Sequence, residues 1–419
     1  MNSMAEISKD PCCQGACGNQ MVSAEASRQL SSDPDGQSQP GCDTCYRCGS
    51  RPATLLTRKA SCAECFLEVF RRKFASNLRS RFIRRNEKRE PTVVIVDGGV
   101  FSTSLLHLML ERNKRRYVTA AHAPAESDTS RHLFGSDDMA INCVISVDDH
   151  VGTSGSFEER SKKFFKHVTT VVNNLGNSNV AEDWVIEGNH INEAVILDEV
   201  KLSHIAVCYF LHKEKGLCNE RCSSLKAHLT RMYDSLSCDE LAYSLEILRR
   251  LNLKKYLAEC RLNGTSVFVG DTQELIARRV LMLTCIAAGD RVAFRSAFVD
   301  KHSLRPDTSI FRLLKSFSSK EVALYHRLNG LPDMPSLDLF WHSSSQSTIL
   351  GCVNELVSCV AFAHSSTLYN VSNVVEKLTP AFPGSTSGTV LNVYVHSGAV
   401  CQVCEGAVYE SDTEVLVYV

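Results

Sequence analysis

Two cysteine pairs, Cys45-x2-Cys48 and Cys62-x2-Cys65, stand thirteen residues apart in this chain. Thiolates at that spacing close around one tetrahedral zinc ion, two from each knuckle, and Gly49 suits the tight turn a knuckle needs. A disulfide framework is the competing use of such residues, but it belongs to short, loop-rich secreted chains. Cys42 precedes Cys45 by the same step and can take the place of one ligand. A further pair, Cys401-x2-Cys404, supplies only two ligands, and the spacing of Cys352 and Cys359 does not complete a second site.

A basic run comes next. Phe66, Phe70, Phe74, Leu78 and Phe82 recur every fourth residue, one apolar stripe on a helix expected from Ala63 to Asn86. From Phe66 onward lie Arg71, Arg72, Lys73, Arg79, Arg81, Arg84 and Arg85, then Lys88 and Arg89, against only Glu68, Glu87 and Glu90. Charge runs are usually solvated faces. One-sided charge on an anchored helix is instead the footprint of phosphate binding, so Arg71, Arg72, Lys73, Arg79, Arg81, Arg84 and Arg85 are the candidate RNA contacts.

Asp97-Gly98-Gly99-Val100-Phe101-Ser102 follows an apolar strand and opens a helix. Consecutive glycines let backbone N–H groups approach an anion at a helix N-terminus, which makes Gly98, Gly99 and Ser102 candidate nucleotide-binding residues. Asp97 works against that use, because its carboxylate would stand beside the polyphosphate. It can cap the helix instead. Covalent sulfur chemistry would call for a central Cys-x2-Cys pair, and none is present: Cys218 and Cys222 are separated by three residues and Cys143 stands alone. The catalytic apparatus is incomplete.

These residues need a scaffold. Pro91 breaks the basic helix, and Thr92–Val96 is expected as a fully buried strand. Helix is expected at Thr103–Arg112, Phe157–Asn173, Asp239–Glu259, Thr272–Ala287 and Lys320–Leu328. Strand is expected at Tyr117–Ala121, Cys143–Val147, Ile205–Leu211 and Ser266–Val269. Polar loops are expected at Gly135–Asp138, Gly152–Gly155 and Ser343–Ser347. Alternation of this kind predicts an α/β fold, a parallel sheet with helices on both faces, preceded by a zinc-ribbon-like module. The expected domains are a disordered tail at 1–41, poor in large apolar residues, the cysteine module and basic helix at 42–90, the α/β domain at 91–335 and a C-terminal region at 336–419. Beyond 335 the periodicity weakens, with Gly388–Val395 and Glu414–Val419 as possible paired strands.

With 44% hydrophobic and 22% charged residues and a net charge of −1, the chain reads as globular, so any basic footprint must be local. No apolar run reaches the ~20 residues of a membrane helix. The N-terminus carries Glu6, Lys9 and Asp10 in place of a secretory signal. Several of the nineteen cysteines, such as Cys208, Cys260 and Cys285, sit singly in apolar runs as small hydrophobes. A reduced, cytoplasmic protein is expected, with no membrane partner.

The ordered set of cysteine pairs, Phe66-Leu67, basic helix, strand–Gly-Gly–Ser–helix and distal Cys401-x2-Cys404 resembles the cytoplasmic tRNA 2-thiolation protein 2 family. Val267–Arg291, with Gly270 and Asp271, resembles a second block of that family. Arg312-Leu313-Leu314 with Lys320–Tyr325 resembles a third. The family is similar to PP-loop ATP pyrophosphatases, whose loop reads Ser-Gly-Gly-x-Asp-Ser. Gly98, Gly99 and Ser102 agree with it, whereas Asp97 replaces the first serine and Phe101 the aspartate. Those departures count against ATP as a cofactor. The resemblance implies a heterodimer with a catalytic tRNA thiolase subunit that converts the wobble uridine of tRNA to 2-thiouridine. Sulfur would arrive as a thiocarboxylate on a ubiquitin-related modifier, with zinc on Cys45, Cys48, Cys62 and Cys65 and the basic helix positioning tRNA. The alternatives are an ATP-dependent tRNA sulfurtransferase active on its own, and a zinc-ribbon interaction module that binds no RNA.

Overall fold

The chain divides into two compact units, Met1–Cys62 and Ala63–Val419. The computed structural model describes residues 44–57, 59–81, 91–122, 141–148, 157–175, 191–196, 200–206, 231, 235–260, 262, 264–305, 308–334 and 348–378. In the first unit, β1 (Leu55–Leu56) and β2 (Ala60–Ser61) pair antiparallel, and Thr44 bridges to Pro52. Pieces this short bury little apolar surface, so a module of this size depends on a staple.

The second unit opens with α1 (Ala63–Arg81), whose Phe66, Phe70, Phe74 and Leu78 are all buried, as the stripe predicted. Phe82 and the rest of the expected helix to Asn86 lie outside the described residues. The body is a seven-stranded sheet among the described residues. In chain order it comprises β3 (Thr92–Ile95), α2 (Val100–His122), β4 (Ile141–Asp148), α3 (Phe157–Asn173), β5 (Ile191–Ile196), β6 (Val200–Ala206), α4 (Cys238–Glu259), β7 (Ser266–Phe268), α5 (Gln273–Cys285), α6 (Val292–Ser296), β8 (Val299–Arg305), β9 (Thr308–Phe311) and α7 (Ser319–Leu328). Two more helices complete the described chain, α8 (Ile349–Ala363) and α9 (Ser365–Lys377).

Strand order is β5-β6-β4-β3-β7-β9-β8; the five inner strands run parallel and the two edges, β5 and β8, antiparallel. From β3 the chain steps one way to β4 and β6, then returns across the sheet to β7 and β9. Right-handed crossovers therefore put α2 and α3 on one face and α4 and α5 on the other. α1 and α7 join the first face, with α7 against both α1 and α2, while α8 and α9 pack on α5. The expected two-faced parallel sheet is present. Val93, Ile145, Ile205, Val267 and Ile310 pack against Leu253, Tyr256 and Leu257 of α4 in one buried cluster. Ser237 before α4 and Ser318 before α7 each complete a capping box, with Glu240 and Glu321.

Three expectations differ from the structure. Tyr117–Ala121 is no strand but the end of α2, because no Gly or Pro interrupts the chain between Leu110 and His122 and the helix propagates through the β-branched residues. The strand expected at Ile205–Leu211 begins five residues earlier, at Val200. The region beyond 335 contains two helices whose apolar faces were too continuous to show a period. The expected tail, the three polar loops and the possible strands at Gly388–Val395 and Glu414–Val419 lie outside the described residues.

Candidate functional site

The sulfurs of Cys45, Cys48, Cys62 and Cys65 all lie within 4.8 Å of one another, the only such group of potential ligands among the described residues. The first knuckle is a backbone turn in which Cys45 N–H donates to Arg51 O at 2.8 Å and Gly49 N–H to Cys45 O at 2.8 Å. Gly49 sits at φ +64°, the left-handed region that the turn requires. Backbone N–H groups, first that of Cys48 and then that of Cys62, pull the Cys45 thiol down to about 6. Those around Ser50 lower Cys48. Four sulfurs around one zinc ion at ~2.3 Å stand about 3.8 Å apart, so the quartet fits a single tetrahedral ion. A four-iron cluster spreads its thiolates over separate irons and needs them farther apart. An ion held by all four sulfurs would have no open position, the form of a structural site. Cys42, Cys401 and Cys404 lie outside the described residues.

At the carboxyl end of β3 the chain turns through Gly98, at φ +82°, into α2. The Asp97 carboxylate accepts the Gly99 N–H at 3.0 Å and the Ser102 hydroxyl on the same oxygen. Asp97 N–H in turn donates to Ser102 Oγ at 3.2 Å. Gly98, Gly99 and Ser102 are thus brought together as a loop, but the Gly99 N–H and the Ser102 hydroxyl are engaged by the chain's own carboxylate. Phe101 stands where an acidic side chain would complete the pattern. Gly270, at the exit of β7, lies against this turn: a Cβ there would fall 2.7 Å from Ser102 N and 2.8 Å from its Cα, both backbone atoms.

Asp271 is the next residue, and it too is occupied. Arg279 Nη1 reaches one carboxylate oxygen at 2.6 Å, and Arg312 Nε the same oxygen at 2.9 Å. Burial pushes the carboxyl up, but Arg279 and Arg312 override it and hold Asp271 at about 2. Arg312 is buried, with Asp300 at 3.6 Å. Sequence reading singled out Gly270 and Asp271 without finding this network, since Asp271 and Arg312 are 41 residues apart.

The candidate RNA contacts separate by orientation. Arg71 turns inward to Glu111 at 3.0 Å and Asn329 at 3.2 Å, and Lys73 to Glu321 at 3.2 Å, over the Phe317 ring. Arg72 is exposed and pairs with Glu68 at 2.5 Å, and Arg79 is exposed. Nothing is described of the Arg81 side chain, and Arg84 and Arg85 lie outside the described residues. The groove along α1, about 370 Å³, is lined by Glu64 and Glu68 as well as Arg71 and Arg72. The described part of the helix is therefore mixed in charge, and its basic surplus lies towards and beyond its C-terminal end.

No protein-family model matches the chain. Curated relatives do. Cytoplasmic tRNA 2-thiolation protein 2 of Caenorhabditis briggsae is 24% identical over 356 residues, 84% of this chain and 85% of the relative. The protein of that name in Caenorhabditis elegans is 21% identical over 349 residues, covering 82% and 86%. The one in Danio rerio is 24% identical over 366 residues, covering 82% and 69%. Among solved structures, the U34-tRNA thiolase NcsA of Methanococcus maripaludis with its 4Fe-4S cluster superposes with a TM-score of 0.52 at 15% identity. The match covers 90% of this chain and 95% of that one. That likeness shows a shared fold.

Proposed function

We propose, from the premise that this chain belongs to the cytoplasmic tRNA 2-thiolation protein 2 family, that it is the non-catalytic subunit of a wobble-uridine thiolase. A role in tRNA thiolation in the cytoplasm is what the relatives and the fold support. The division of labour rests on one observation: the Asp97 carboxylate fills the loop that would hold the nucleotide's phosphates. A fixed negative charge at that point repels polyphosphate and leaves no free donor on Gly99. Without bound ATP the chain cannot adenylate a uridine, so a catalytic thiolase partner supplies that step, with sulfur from a ubiquitin-related modifier.

This chain's share is to hold and orient. Zinc on Cys45, Cys48, Cys62 and Cys65 organises the segment that leads into α1, and Arg79, Arg81, Arg84 and Arg85 contact tRNA phosphates. The test is pyrophosphate release from ATP in the presence of tRNA. The purified chain alone should release none, and the same chain with its partner should restore turnover. Release by the chain alone would favour the alternative, a sulfurtransferase active by itself.

A further inference from the structure

The first unit carries surface groups that a structural role for its cysteines does not use. From Cys45 to Ala63 the sequence contains Arg47, Arg51, Arg58 and Lys59 and neither Asp nor Glu, in a chain whose net charge is −1. A divalent ion on four thiolates has a net charge of about −2, which those cations outweigh. A basic stretch alone is usually a solvated face. This one surrounds an aromatic ring set between two of the cysteines. Tyr46 is 52% exposed, although Cys45 and Cys62 are the only buried apolar side chains among the unit's described residues. A unit so short of core has left its tyrosine outside.

The ring is fixed through its backbone. It lies in the first knuckle, where Cys45 N–H donates to Arg51 O and Gly49 N–H to Cys45 O, and Tyr46 N–H itself donates to Ala60 O at 3.1 Å. Lys59 stands next to Ala60 in the turn between β1 and β2, where Thr57 Oγ1 donates to Lys59 O at 3.3 Å. Its Nζ lies 5.1 Å from the Tyr46 ring centroid. Leu56, which pairs with Ala60 across the hairpin, is 72% exposed. Tyr46, Leu56 and Lys59 therefore gather at the turn end of the hairpin, and Arg51, also exposed, closes the knuckle. A ring held in this way loses little freedom when a flat partner lies on it. Exposed aromatic surface beside cations, without carboxylates, is the combination that takes unpaired nucleotides: a base stacks on the ring and phosphates meet the cations. An acidic peptide would satisfy the cations but offers the ring no flat partner.

We propose that the cysteine module is a binding site for unpaired RNA nucleotides, with Tyr46 stacking on a base and Arg47, Arg51 and Lys59 holding the adjacent phosphates. This rests on the reading that the chain holds tRNA, and adds that the module takes a single-stranded part of it, a loop or an end. In anisotropy titrations of the full chain with labelled single-stranded oligouridine, Tyr46→Ala should weaken binding by on the order of 10- to 100-fold. Metal content and salt slope should stay unchanged, and Tyr46→Trp should retain the affinity. Arg51→Glu with Lys59→Glu should instead lower the salt slope, by about 0.7 per lost contact. Equal affinity in Tyr46→Ala and the unaltered chain overturns the proposal. So does ultraviolet crosslinking of the oligouridine to the unaltered chain that marks other peptides and none containing Tyr46, a readout that needs no variant to fold. Loss of a thiolase partner from Tyr46→Ala, with RNA affinity intact, would overturn it by assigning the ring to a protein. Whole tRNA separates the site from the wider reading. Equal tRNA binding by Tyr46→Ala and the unaltered chain removes the site alone, whereas no tRNA binding by the unaltered chain removes both.

Discussion

Asp97 gives one carboxylate oxygen to both the Gly99 N–H and the Ser102 hydroxyl, so a single side chain decides what the loop can hold. Asp97→Ser removes the charge and frees the Gly99 donor while keeping a hydroxyl that can still cap α2. Pyrophosphate should then bind the variant at least about tenfold more tightly than the unaltered chain, ~1.4 kcal/mol, by isothermal calorimetry. A folded variant with no gain would mean that something other than Asp97 closes the loop. Catalysis should not return with binding, because Phe101 remains where the loop's acidic residue would stand. At the same scale, Gly270 has no room for a side chain, since the atoms it would meet are backbone and cannot rotate away. Gly270→Ala should cost on the order of 1–3 kcal/mol in urea unfolding. A neutral result would show that the exit of β7 and the start of α2 can move apart freely.

α1 is held by more than its apolar stripe. Phe70 stacks on Tyr325 with centroids 4.6 Å apart, Arg71 reaches Glu111, and Asn77 donates to Leu313 O at 3.0 Å. Two of the predicted RNA contacts, Arg71 and Lys73, thus have a docking role in the fold, and the test of RNA binding belongs further along the helix. Arg79→Glu with Arg84→Glu should weaken tRNA binding and lower the salt slope by about 0.7–0.9 per lost contact, with thermal stability unchanged. Arg71→Glu should instead lower the melting temperature, by placing a second carboxylate against Glu111. An unchanged salt slope in the double variant would favour the interaction-module reading. Much of this element was legible in the sequence, because a stripe at every fourth residue is a local signal, as are the capping boxes of α4 and α7. The inward turn of Arg71 was not, since Asn329 lies 258 residues away. The same limit hid the Asp271–Arg312 pair, whose partners stand 41 residues apart. The cysteine quartet was readable for the opposite reason: its four ligands come from one short stretch.

Across the first face of the sheet, three histidines tie the helices together and make the whole body sensitive to acid. His107 on α2 bonds Tyr325 Oη of α7 at 2.8 Å, and His167 on α3 bonds Thr103 Oγ1 of α2 at 2.9 Å. His326 on α7 lies 3.7 Å from Asp333. Burial drives His107 and His167 each down to about 4, with Glu111 opposing it at His107 and the Arg71 cation adding to it. Burial lowers His326 too, against Asp333. A histidine whose pKa falls on folding binds its proton more readily when unfolded, so the neutral form stabilises the fold above ~6.5 and that stability drains away as pH falls towards 4. Each such histidine can remove up to about 1.4 kcal/mol per pH unit in that window, a large share of a total near 5–15 kcal/mol. Asp271 and Glu246, held at about 2 by their arginines, begin to lose their own contribution only below about pH 5, as the unfolded carboxyls take up protons. Urea midpoints should therefore fall steeply between pH 7 and pH 5. Thiolate protonation also loosens metal in acid, so the decisive comparison is His107→Gln with His167→Gln. That variant should start less stable at pH 7 and lose much less on acidification. Parallel curves for the two proteins would place the acid sensitivity at the cysteines and not at this helical face.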